Sequence, residues 1–111
     1  MSLFINGEWL YTADAHVHTF PDKIAEKAVG KLARISGIAP CTDGTFAQTQ
    51  QCMEKSGIDH AVLLNIATVP GQEHTINACA SEANRQPGFT ALGSIHFLSE
   101  NPVKEIRRIK E

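Results

Sequence analysis

The segment from Ala61 to Ala67 constrains the fold most, because six of its seven residues are apolar and only Asn65 is polar. An apolar run of this length, closed by the turn-forming pair Pro70-Gly71, is typical of a strand that is covered on both faces. Such strands occur mainly in parallel sheets, where helices connect one strand to the next. The segment therefore predicts an α/β fold.

Helical and strand-like patterns alternate on both sides of this segment. Apolar residues recur at helical spacing from Ile24 to Ile35 before Gly37, and Thr45 with Gln48 forms a capping-box pattern. The patterns predict strands near residues 11–18, 60–67 and 89–97, and helices near residues 21–36, 45–55, 73–86 and from residue 102 onwards. Strands that alternate with helices form βαβ units, so we predict three parallel strands with the helices on one side.

Composition excludes several classes of protein. The 111 residues carry a formal net charge of -2 and show no linker, so we expect one domain over residues 1–111 and no nucleic-acid partner. No apolar run is long enough to span a membrane, so we expect no membrane partner. Three cysteines without CxxC spacing favour a reducing compartment, and we expect a cytoplasmic protein.

The sequence DAHVH, residues 14–18, places two histidines at the end of the first predicted strand. Residues two apart on a strand point to the same face, so Asp14, His16 and His18 are expected to share one face. Two imidazoles spaced in this way can bind one metal ion beyond the end of the strand, where parallel-sheet proteins place their active sites. The alternatives are an exposed pair without a role and a pair satisfied by local hydrogen bonds.

The order of these motifs resembles the amidohydrolase superfamily. It is most similar to the metal-dependent TIM-barrel hydrolases that include the aminocarboxymuconate semialdehyde decarboxylases. DAHVH looks like the first strand of that group, and residues 53–64 look like its following helix and second strand. Residues 77–89 resemble its passage into the third strand, and residues 92–97 and 101–106 resemble that strand and the next helix.

The resemblance implies that this chain is the N-terminal portion of a (β/α)₈ barrel, with its first three βα units and an incomplete barrel. It implies that His16 and His18 bind a divalent metal, zinc being the first choice. The family's other ligands and its catalytic histidine lie on later strands, which this chain does not match. We therefore expect a metal-dependent hydrolase or decarboxylase of a small-molecule substrate that is inactive as this piece alone.

Three further residues are candidates for the surroundings of the site. Asp14 is a candidate to orient a histidine, or else a buried carboxylate bonded to backbone. Asn65 and His96, near the ends of the second and third predicted strands, are candidate pocket residues. His60 is expected to be structural and His74 to face solvent.

Two other classes of protein remain open at this stage. One is a non-catalytic βα module that oligomerises through its sheet edges. The other is a small doubly wound domain, although no glycine-rich phosphate loop follows the first strand. Three strands leave two edges and an apolar face uncovered, so we expect self-association or packing against the remainder of a longer chain.

Overall fold

The structure, a computed structural model, describes residues 2–111. Five strands and four helices follow one another in the order β1 (Leu3–Ile5), β2 (Glu8–Leu10), β3 (Ala13–Val17), α1 (Asp22–Ser36), α2 (Phe46–Ser56), β4 (His60–Leu64), α3 (Glu73–Ala83), β5 (Phe89–Leu92) and α4 (Pro102–Lys110).

The main sheet consists of β3, β4 and β5 in that order, and all of its strands are parallel. Ala61 pairs with Phe89 and Leu63 with Ala91 along the β4–β5 ladder. The prediction of a mixed α/β fold with three parallel strands and four helices is confirmed. The described residues form no closed barrel.

The hydrophobic core lies between one face of this sheet and helices α2 and α3. Leu63, at the centre of β4, is completely buried, and burial of a leucine side chain stabilises a fold by about 1.5 to 3 kcal/mol. Phe46 and Met53 of α2 pack against the core. The buried cluster itself comprises Ala61, Leu63, Ala80, Ala83, Phe89 and Ala91.

The opposite face of β4 is less covered than the apolar run predicts. Val62 and Leu64 are only half-buried, and Ile66 is exposed. The prediction of a strand covered on both faces is therefore wrong for the described residues, because the cluster formed with α2 and α3 takes in only alternate residues of β4. Leu92 of β5 is exposed in the same alternating pattern.

Local signals place the helix ends correctly. The Thr45 hydroxyl accepts the Gln48 N–H at 3.2 Å, and the Asn101 side chain accepts the Lys104 N–H at 3.2 Å. Gly37 and Gly57 follow α1 and α2 with φ of 70°, a conformation that glycine adopts without a steric penalty. The helix ends predicted at Gly37 and Thr45 are confirmed, but the Gln48 side chain accepts the Asp43 N–H and does not close the capping box on Thr45.

The first strand of the parallel sheet is shorter than predicted. Residues 11–18 were expected, whereas β3 spans Ala13–Val17. Thr12 leaves the strand pattern because its N–H donates to Asp59 Oδ2 at 2.8 Å and its hydroxyl donates to the Gly57 carbonyl at 2.7 Å. The hydrogen bond from Thr12 N–H also holds the pKa of Asp59 below its ordinary value. These contacts anchor the start of β3 to the turn that precedes β4.

The third predicted strand, residues 89–97, ends at Leu92 instead. Asn77 of α3 takes both backbone groups of Ser94: the Ser94 N–H donates to Asn77 Oδ1 at 2.7 Å, and Asn77 Nδ2 donates to the Ser94 carbonyl at 2.9 Å. The backbone at this position therefore pairs with a side chain and not with a strand. The α3 helix also ends earlier than predicted, at Ala83.

A hairpin formed by β1 and β2 was not predicted. Asn6 and Gly7 connect its strands with φ of 52° and 87°, and Phe4 lies beside Trp9 with ring centroids 5.0 Å apart. An Asn-Gly pair between two short segments rich in large apolar residues is a strong hairpin signal, so this element could be read from the sequence.

The overall shape is extended. The radius of gyration is 15.5 Å, whereas a compact domain of this length has about 13 Å. Leu32 and Ile35 on the predicted apolar stripe of α1 are exposed. None of the helices formed by residues 2–111 is long and apolar enough to cross a membrane.

Candidate metal site at the end of strand β3

The two histidines lie where β3 ends, at the carboxyl edge of the parallel sheet. His16 is in the strand and His18 is the first residue after it. Strand β3 contains an irregularity here, because Asp14 pairs with Ala61 and Val17 with Leu63. Between these two pairs β3 advances by three residues and β4 by two, which is the pattern of a β-bulge.

The bulge changes the interpretation of Asp14. Its Oδ1 accepts the backbone N–H of His16 at 3.0 Å. The register shift also removes the strict alternation from which a face shared by Asp14 and both histidines was inferred. Asp14 is exposed rather than buried, and the contact it makes supports the backbone of His16, not its imidazole ring.

The rings of His16 and His18 converge on each other. Their Nε2 atoms lie 3.1 Å apart, and the rings are nearly perpendicular, at 80°. Two nitrogens bound to one tetrahedral zinc ion at about 2.05 Å are separated by about 3.3 Å. The spacing and the donor type therefore fit a shared zinc ion.

A second contact defines the tautomer of His18. Its Nδ1 lies 2.6 Å from the carbonyl oxygen of Leu64, at the end of β4. A carbonyl can only accept, so Nδ1 carries the hydrogen and Nε2 of the neutral ring keeps its lone pair. Histidines that bind metals are commonly oriented in this way by a backbone carbonyl.

The pair has no third ligand nearby. Within residues 2–111, no group of three His, Cys, Asp or Glu side chains is arranged to hold a metal ion. In the metal-free chain, the Nε2–Nε2 spacing corresponds to an N–H···N hydrogen bond in which His16 is the donor.

Asn65 lies directly after β4, close to the histidine pair along the sheet edge. Its Oδ1 accepts the hydroxyl of Thr19 at 3.0 Å and the Thr19 N–H at 3.3 Å. Both residues are buried. Asn65 thus ties the segment after His18 to the end of β4, and its role as a pocket residue stays a prediction.

His96 lies outside β5, in the loop that follows it. Its Nδ1 accepts the Leu98 N–H at 3.1 Å, and its ring stacks on Phe97 with centroids 4.7 Å apart. The structure brings it together with these loop residues and gives it no contact with His16 or His18. The remaining histidines behave as expected: His60 contacts the Thr90 hydroxyl at 2.9 Å, and the His74 side chain is 74% exposed.

Reasoning from the sequence did not predict one feature beside the site. His18 lines a cavity of about 300 Å³ that is otherwise formed by α1, the segment after His18 and the loop before α2. No sequence pattern marks this cavity, because its walls come from separate segments.

Polar residues also cluster at the far side of the sheet. The Asn84 side chain bonds to both backbone groups of Ala91. Its Oδ1 accepts the Ala91 N–H at 2.7 Å, and its Nδ2 donates to the Ala91 carbonyl at 2.9 Å. Glu105 accepts hydrogen bonds from Arg108 at 2.5 Å and from Asn77 at 2.9 Å. The hydrogen bond from Arg108 is the main cause that lowers the pKa of Glu105 to about 2.

Comparison of the chain with models of known families, with curated proteins and with solved structures finds no match.

Proposed function

We propose that this chain is the N-terminal, metal-binding portion of an amidohydrolase-like barrel enzyme. The observation that carries the proposal is the 3.1 Å separation of the His16 and His18 Nε2 atoms at the carboxyl edge of a parallel sheet. His16 and His18 would hold the metal, zinc being the first choice. The order of strands and helices supports the same assignment, because a (β/α)₈ barrel begins with parallel βα units.

When bound, such a metal polarises a carbonyl or carboxylate group and lowers the pKa of a bound water. The residues of this chain serve to place it. The Leu64 carbonyl orients His18, and the Asp14 carboxylate fixes the backbone of His16 at the bulge. The small-molecule reaction is either hydrolysis or decarboxylation.

Two imidazoles leave a tetrahedral ion with half of its ligands to be supplied from elsewhere. We therefore expect weak zinc binding and no catalysis by this chain alone. Isothermal titration calorimetry should show that His16→Ala and His18→Ala each lower the zinc affinity at least tenfold, a loss of about 1.4 kcal/mol or more.

The matched control is His74→Ala, because this histidine is exposed on α3. All titrations use the Cys41→Ser background, since Cys41 is an exposed thiol that can bind zinc by itself. An affinity that does not change in either His16 or His18 variant would rule out the proposed metal site.

The alternative function is a non-catalytic module that oligomerises through its sheet edges. The outer edge of β5 argues against it, because both backbone groups of Ala91 are already bonded to Asn84. If edges nevertheless mediate association, Asn84→Ala should increase the mass measured by light scattering. An unchanged mass in this variant counts against edge pairing at β5.

A further inference from the structure

The cavity beside His18 is bounded by two segments that meet at Gly44. The Phe20 N–H donates to the Gly44 carbonyl at 2.8 Å, which holds the loop before α2 against the segment after His18. Gly44 has φ of +78°, and a Cβ placed there would lie 2.5 Å from Val29 Cγ2. The loop therefore packs closely on α1 at Gly44, where no larger side chain fits without a shift of Val29.

The chemistry of the walls is apolar. Apart from His18, the only side chains with polar atoms are those of Ser36 and Thr42, and no Asp, Glu, Lys or Arg of the described residues lines the cavity. The apolar walls are formed mainly by Phe20, Val29, Leu32, Ile38 and Pro40. By contrast, a cavity between α3 and α4 is lined by Glu73, Glu100 and Lys104.

An ionised group would lose hydration among these walls without gaining a charged partner. The volume of about 300 Å³ is at the lower end of the range for small-molecule sites, enough for one ring or a branched alkyl group. His18 connects this cavity to the nitrogen pair, because the residue lines the cavity and its ring nitrogen meets that of His16.

We infer that the cavity holds an uncharged aryl or branched alkyl group of the small molecule whose reacting carbonyl or carboxylate lies at the histidine pair. This inference rests on the proposed function. It adds the class of substituent that the site accepts.

Two hydroxamic acids test it with the zinc-loaded chain, because both chelate zinc and they differ only in the attached group. Calorimetry should show that benzohydroxamate binds about tenfold more tightly than acetohydroxamate, since only the phenyl group enters the cavity. Ala33→Leu narrows the cavity and Leu32→Asn makes its wall polar. Each variant should reduce the preference to below about threefold.

Ile35→Asn is the matched control, because Ile35 lies on the same helix, is 73% exposed and does not line the cavity. It should leave the preference for benzohydroxamate unchanged. Equal affinity of the two hydroxamates for a chain that binds zinc through His16 and His18 would overturn the inference and leave the proposed function intact.

A metal-free titration separates the two proposals further. Benzyl alcohol added to the metal-free chain should shift the methyl resonances of Val29 and Leu32 and not that of Ile35 in NMR spectra. Failure of zinc to bind would refute the proposed function and the placement of a reacting group at the histidine pair, while the absence of methyl shifts would refute the apolar site. Shifts at Val29 and Leu32 support the site whatever the zinc result.

Discussion

The two sides of the parallel sheet use their polar side chains differently. We call β5, α3 and α4 the β5 flank, and β1, β2, β3 and α1 the β3 flank. On the β5 flank, Asn77 and Asn84 each make two hydrogen bonds to a strand or loop backbone, and Glu105 is held by Arg108. Their hydrogen-bonding capacity is used to stabilise the fold.

On the β3 flank, the polar side chains of Asp14, His16 and His18 are exposed. His16 and His18 face each other, and the Nδ1 of His16 has no hydrogen-bond partner among residues 2–111. Leu32 and Ile35 of α1 are also exposed. The difference indicates that the β5 flank carries the stability of this chain, while the β3 flank offers groups for binding.

The largest expected effect is a difference in the free energy of unfolding between variants of one apolar residue from each flank. Ile76 of α3 is 1% exposed and Leu32 of α1 is 46% exposed. Ile76→Ala should lower the free energy of unfolding by about 2 to 5 kcal/mol because it opens a cavity, whereas Leu32→Ala should cost less than about 1 kcal/mol. Urea unfolding followed by circular dichroism measures both. Equal losses of unfolding free energy in the two variants would contradict the proposed difference in stability between the flanks.

The next comparison uses two side chains that bind backbone. Asn84→Ala leaves the N–H and carbonyl of the buried residue Ala91 without partners, so the free energy of unfolding should fall by about 2 kcal/mol. Asp14→Ala releases one N–H that water can reach, and should cost less than about 1 kcal/mol. A larger loss in the Asp14 variant would show that the bulge, and not the β5 edge, is the more critical contact.

The smallest effect depends on pH. The pKa of Glu105 is lowered to about 2, so its ionised form stabilises the fold above its unfolded pKa of about 4.5. This contribution is lost as the pH falls from about 4.5 towards 2. Glu105→Gln should therefore cost about 1 kcal/mol at pH 7, and the difference from the wild type should shrink at pH 3.

Glu82→Gln is the matched control for this prediction. Glu82 also pairs with an arginine three residues later, but both side chains are 69% exposed. Exposed pairs of this kind contribute little, so the loss should stay below about 0.5 kcal/mol at either pH. Chemical unfolding at pH 7 and pH 3 checks both variants. A difference for Glu105→Gln that grows on acidification would contradict the sign of the pKa shift.

Much of the fold could be predicted from the sequence. Thr45 and Gly37 predicted helix ends correctly, because capping depends on residues within one turn. The strand pattern predicted a three-stranded parallel sheet, which the structure has. The spacing of His16 and His18 predicted a metal site, which stays a prediction; their Nε2 atoms lie 3.1 Å apart.

The tertiary structure decided the remaining features. The end of β5 at Leu92 depends on Asn77, and the orientation of His18 depends on the Leu64 carbonyl, 46 residues away. The bulge in β3 follows from its register with β4. Capping and periodicity act between neighbours in the chain and can be read locally. Pairing register and long-range hydrogen bonds cannot, because they depend on which distant segments pack together.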